Sequence, residues 1–265
     1  MCKRTKEYLH RVYQSRFFWM HLARIELKNK FRRSKLGILW AFVSPLCLTI
    51  IMSVIFAVAF HQNVFTYAPY VLSGLLVWDV FTQGFVGACG TLIANDPFIR
   101  QFNHPITIYS LKSAIVITIS FLLSMVSLIV WSLFSNIAYV PIGLLSLPLS
   151  TVFMFAIAWS AATISSYTCT KFRDYPQMMA LIMQALWYVS PVFLQESVFR
   201  GNIYLRMWFA MNPITHVLNL IRKPFLEGVF PYWYDYLVSF ILAGVLALLA
   251  VSINHKNEKD IIFYI

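Results

Sequence analysis

The chain has 265 residues, of which 60% are hydrophobic and only 12% charged, with a mean hydropathy of +0.70. Soluble domains carry about 25% charged residues, so this composition excludes them and points to an all-α integral membrane protein. The net charge of +11 does not indicate a nucleic-acid partner, because almost no soluble sequence remains to display a basic patch.

Residues 6–33 read as one amphipathic helix, with Leu9, Tyr13, Met20, Ala23, Leu27 and Phe31 near one face and Glu26 four residues before Lys30. A basic, aromatic helix of this kind suits the membrane interface and contact with membrane lipid, although a basic flank that only sets topology fits equally. Cations continue through the first thirty-five residues with no cleavage signature, so the first span is expected to be retained. Residues 36–60 then carry no formal charge, enough to cross a hydrocarbon layer of ~30 Å.

A second apolar run at 69–94 is broken only by Asp79. That carboxylate marks either a pathway or partner contact, or a position near the outer interface, opposite the N-terminal arm, beside Trp78. Gly84, Gly87, Ala88, Gly90 and Thr91 form a small-residue patch suited to close helix packing, within the chain or between two copies. Arg100 and Lys112 bracket the polar, proline-punctuated segment 95–105, and the fifty-eight uncharged residues that follow provide two spans, at 113–134 and 142–168. Residues 171–174 form another short cationic loop before a fifth span at 175–195. Segment 196–235 is interrupted by charge and by Asn212-Pro213; it reads as outer re-entrant half-helices, with a sixth span at about 236–253. All cations except Arg200, Arg206, Arg222 and Lys223 fall on one side of this plan, which places both termini in the cytoplasm.

None of the nine glycines precedes a lysine, so the phosphate-binding loop G-x-x-x-x-G-K-[ST] is absent. Cys2, Cys47, Cys89 and Cys169 are isolated and expected to be buried free thiols, and the scattered histidines suggest no metal site. Trp78, Phe81, Phe85, Trp159, Tyr167, Trp187, Tyr188 and Phe193 fit either an interfacial belt or stacking surfaces for sugar rings.

The Arg32-Arg33-Ser34-Lys35-Leu36-Gly37-Ile38-Leu39-Trp40 entry ending at Pro45, Phe172-Arg173-Asp174, and Asn212-Pro213 through Arg222 followed by Gly228 resemble the permease subunits of bacterial type 2 ABC exporters. Those exporters move polysaccharides or polyol phosphates such as O-antigen, capsule and wall teichoic acid. The resemblance covers nearly the whole chain. It implies a six-span permease, not an enzyme, working as a homodimer in the bacterial inner membrane with two copies of a separate cytoplasmic ABC ATPase. This chain would bind no cofactor; ATP and Mg would sit on the partner.

The resemblance also implies that Asp96, Arg100, Asn103 and His104, with Arg173 and Asp174 second, meet the ATPase. Arg24, Lys28, Lys30, Arg32, Arg33 and Lys35 are candidates for the anionic head group of a lipid-linked glycan. Trp78, Phe81, Phe85, Tyr188, Asn212, Pro213 and Arg222 are candidates for the conduit lining or outer gate. Alternatives are a permease for small hydrophobic drugs or lipids, a passive channel, or a membrane enzyme.

Overall fold

The computed structural model describes residues 2–32, 35–59, 63–102, 104–135, 137–195, 203–258 and 260–265. The described residues are almost wholly helical and contain no strand, as expected of chains whose backbone polar groups must be satisfied within each span. The N-terminal arm is two helices, α1 (Cys2–Gln14) and α2 (Arg16–Arg32), where the sequence predicts one. The break falls at Ser15, whose hydroxyl donates to the Arg11 carbonyl at 3.0 Å, a local bond that competes with the helix ladder.

Among the described residues, five helical segments are long and apolar enough to cross a membrane: Gly37–Phe56, Val64–Gly87, Thr107–Phe134, Val140–Lys171 and Trp233–Asn257. They contain α3 (Trp40–Ala59), α4 (Val64–Thr82) with its π-helical extension Gln83–Gly87, α7 (Thr107–Ser135), α8 (Val140–Lys171) and α12 (Trp233–Asn257). Between α4 and α7 lie two short helices, α5 (Thr91–Ala94) and α6 (Asp96–Gln101).

The predicted fifth span differs. Its helix, α9 (Tyr175–Val189), has only 15 residues and a length of ~22 Å, short of the hydrocarbon thickness. Helix is lost at Ser190, whose extended backbone is the conformation that the following Pro191 imposes. The expected half-helices are α10 (Ile203–Met211) and α11 (Pro213–Arg222). They part at Asn212, whose side chain caps α11 by accepting from Ile214 N–H at 3.0 Å, with Pro213 at the first helical position.

The main core joins α4, α7, α8, α9, α11 and α12 around Tyr67, Leu72, Met125, Met154, Leu218 and Ile221. A second cluster, around Leu92, Ile108, Tyr109 and Tyr167, ties the N-terminal arm to the same end of the bundle as α5, α6 and the chain's C-terminus. The small-residue patch is explained within one chain at Gly84. A methyl there would lie 2.8 Å from Ala161 Cβ on α8. Gly84→Leu is therefore expected to cost about 1–3 kcal/mol and to lower the thermal midpoint of the purified chain in detergent. Of the described cysteines, Cys89 and Cys169 are buried as expected, whereas Cys47 is exposed on the thinly packed face of α3.

Candidate functional site

Three groups of polar residues stand out on this hydrophobic bundle. At the N-terminal-arm end, α6 begins with Asp96 and Pro97, and the Arg100 Nε donates to Asp96 Oδ1 at 2.6 Å, closing an i,i+4 pair that leaves both side chains accessible. His104 shares a 3.1 Å hydrogen bond with the Ser15 hydroxyl, and the Phe18 ring lies 4.8 Å from His104 and 5.7 Å from Phe102. The segment 95–105 is thereby attached to the N-terminal arm. It is also attached to the C-terminus. Arg100 Nη2 donates to the Ile265 carbonyl at 3.0 Å, and the Glu258 carboxylate accepts from Ile106 N–H at 3.2 Å and from the Tyr8 hydroxyl at 2.7 Å.

Burial pushes the Tyr8 phenol well above its ordinary value, with Glu258 adding to the shift, so Tyr8 remains a donor at neutral pH. Arg173 and Asp174 are exposed in the short turn between α8 and α9. Asn103 and Arg33 lie outside the described residues. Sequence reading missed the C-terminal participants Glu258 and Ile265, because contacts across more than 150 positions leave no local pattern.

The second group follows α2. Arg24, Lys28, Lys30, Arg32 and the following Lys35 are exposed. Glu26 pairs with Lys112 at 2.7 Å, and Lys112, treated above as a loop cation, is buried on α7 and donates to Asn95 at 3.4 Å. Lys30 donates to the Ser120 hydroxyl at 3.1 Å and, with Asp79, lines one cavity. Asp79 therefore lies toward the end that carries the N-terminal arm. The interfacial reading of Asp79 at the opposite end does not hold.

The third group occupies the other half of the bundle. Arg222 is buried, and its guanidinium donates to the carbonyls of Pro191 at 2.7 Å and Val192 at 2.6 Å, to the Tyr70 hydroxyl at 3.0 Å and to Ser73 and the Tyr70 carbonyl at 3.4 Å. Its carbon lies 3.7 Å from the Tyr70 ring centre. Tyr67 and Tyr70 hydroxyls donate to the Phe193 and Leu194 carbonyls at 2.5 and 2.9 Å. Together these side chains satisfy the carbonyls exposed where α9 breaks, which lipid could not do.

Arg222 is thus a clasp inside the protein, joining α11 to α4 and to the break after α9. Asn212 serves the same region, donating to Ser190 at 3.2 Å. Beside it, the fully buried Asp235 on α12 accepts from Lys223, from Asn219 at 3.1 Å and from His216 Nδ1 at 2.8 Å. His216 Nε2 lies 3.0 Å from the Ala210 carbonyl, so the ring bridges α12 and the end of α10. Lys223 Nζ lies 3.6 Å from the Tyr232 ring centre.

Of the aromatic candidates, Trp78 and Phe81 are buried in the core, Phe85 is half-buried and Tyr188 is exposed. Phe81 packs inside the single chain, in the main core.

With this framework in place, the sequence is 22% identical to the O-antigen export system permease protein RfbA of Myxococcus xanthus over 258 residues, 94% of this chain and 95% of the relative. A Klebsiella pneumoniae protein of the same name is 22% identical over 236 residues, 87% of this chain and 88% of the other. The chain is thus similar to permeases of O-antigen export. The polysialic acid transport protein KpsM of Escherichia coli is also similar, at 22% identity over 211 residues, 77% of this chain and 79% of the relative. No protein-family model matches the chain. The similarity to the Myxococcus xanthus protein covers 94% of the chain, so it concerns most of the helical plan and not one motif.

Proposed function

We propose that the chain is the permease subunit of an ATP-driven exporter that moves a lipid-linked polysaccharide, such as O-antigen or capsule, across the bacterial inner membrane. The observation that carries this reading is the similarity to polysaccharide-export permeases over 94% of the chain. In this reading two copies form the conduit, both termini are cytoplasmic, and two copies of a separate ATPase, with its ATP and Mg, dock at residues 95–105 and near Arg173 and Asp174.

The packing supports a route for the force. Phe18, near the start of α2, stacks on His104 of the docking segment, while Glu26 and Lys30 further along α2 hold α7. A push on segment 95–105 is passed along α2, whose cations Arg24, Lys28 and Arg32, with Lys35 just beyond it, attract the anionic pyrophosphate of the lipid carrier. The α10–α11 pair, anchored through Asn212 and Arg222, forms the far gate.

Deleting the gene tests the reading. Surface polysaccharide detected by immunoblot is expected to disappear while lipid-linked glycan accumulates inside, and unchanged surface polysaccharide would overturn it. A second expectation concerns the route. Phe18→Ala should leave ATPase copurification intact but lower export at least threefold, because the loss of one stacked ring, ~1 kcal/mol, loosens the link between the docking segment and α2. Export at the unaltered rate would remove Phe18 from it.

A further inference from the structure

The cavity shared by Lys30 and Asp79 lies between α2, α3, α4 and α7 and encloses about 520 Å³, within the size range of small-molecule sites. A larger cavity in the other half of the bundle is lined by Leu46, Ile50, Phe65 and Val130 together with Thr66, Tyr70, Ser127 and Glu227. In the smaller cavity Lys30, Asp79, Gln83 and the hydroxyl of Ser44 converge with the half-exposed indole of Trp40. A carboxylate within a membrane-crossing helix is costly unless it meets water, a partner or a ligand. Among the described residues, Asp79 receives one side-chain hydrogen bond, from Gln83 Nε2 at 3.3 Å, and a carboxylate offers about four acceptor positions.

Each simple ligand class meets an objection except one. An anion would face Asp79, a cation would face Lys30, and an acyl chain would leave the carboxylate, amide and hydroxyl without partners. A polyol satisfies all of them. Its hydroxyls donate to Asp79 and accept from Lys30 and Gln83, while the C–H face of a sugar ring covers the Trp40 indole. We propose that this cavity is a saccharide subsite that holds the sugar residues nearest the lipid carrier, with Asp79 and Gln83 as the hydroxyl-recognising pair and Trp40 as the stacking face. The proposal rests on the polysaccharide-export reading and assigns to that function a place and a set of contacts.

The test uses the full chain in nanodiscs, with short oligosaccharides prepared from the host's own surface polysaccharide and freed of lipid by mild acid. The unaltered chain is expected to bind them, and Asp79→Asn, which keeps the side-chain volume, and Trp40→Ala are each expected to weaken binding about tenfold or more. Binding of undecaprenyl phosphate, which carries the anionic lipid without the sugar, is expected to stay within twofold. Thermal midpoints of all three proteins establish that the variants are folded. The same variants are then introduced into the deletion strain. Oligosaccharide binding and export that match the unaltered chain in both variants, or a loss confined to undecaprenyl phosphate, overturn the subsite. If instead the deletion strain still displays its polysaccharide, the export reading fails as a whole.

Discussion

Asp235→Ala is expected to destabilise the chain by about 3–5 kcal/mol, the cost of leaving a buried charge without its partner. Asp235 has no exposed surface, and Lys223 and His216 both direct donors at it. Removing the carboxylate strands Lys223 between the Tyr232 and Tyr234 rings and releases Asn219, so α11 loses its attachment to the first turn of α12. The measurement is thermal unfolding in detergent, together with protease sensitivity of the α10–α11 region. The double change Asp235→Leu with Lys223→Met removes both charges and is expected to recover at least half of the loss, because an apolar pair of similar volume carries no desolvation cost. A double variant as unstable as Asp235→Ala would show that packing, and not the unpaired charge, sets the penalty.

Arg222→Ala is expected to cost about 3 kcal/mol or more, since it orphans two buried carbonyls at 2.6 and 2.7 Å and removes the cation over Tyr70. Arg222→Lys should recover only part of this. A single ammonium cannot reproduce the planar fork that reaches Pro191, Val192 and Tyr70 together. An independent approach to the same clasp is Gly74→Ala on α4, because a methyl there would collide with the Val192 carbonyl and sit 2.8 Å from the guanidinium. Carbonyl oxygen is part of the backbone and cannot swing aside, so a loss of about 1–3 kcal/mol is expected. For both sites, protease cleavage near residues 190–195 should rise in parallel with the loss of thermal stability. Unchanged cleavage would separate stability from the clasp.

These two sites show where sequence reading stops. Residues 36–60 and 113–170 announce membrane helices by composition alone, and the half-helices around Asn212-Pro213 are readable because a cap followed by proline has a local meaning. By contrast, Arg222 and Lys223 are adjacent in sequence, yet one closes a helix break some thirty residues earlier and the other pairs with an aspartate twelve residues later. Charge counting could only group them as cations on the minority side.

Two segments differ in the same way. The predicted fifth span at 175–195 was long enough in composition, but Pro191 ends the helix at Val189, and the exposed carbonyls need Arg222, Tyr67 and Tyr70 to make that break tolerable. The small-residue patch was compatible with packing inside the chain or between copies. Ala158 and Ala161 on α8 occupy the space beside Gly84 and account for that glycine within one chain, whereas a methyl on Gly90 would meet nothing within 4 Å.

Sequence by itself determined the solvent, the helical class, the absence of a phosphate loop and the resemblance to exporter permeases, because hydrophobic length and short motifs are local properties of the chain. Tertiary structure alone decided which polar residues meet. Lys30 with Ser120, Asp235 with His216 and Lys223, and Glu258 with Tyr8 and Ile106 are partners because helices cross at specific depths. In a medium without water, each buried polar group must find such a partner, and the crossing of the helices determines which one it finds.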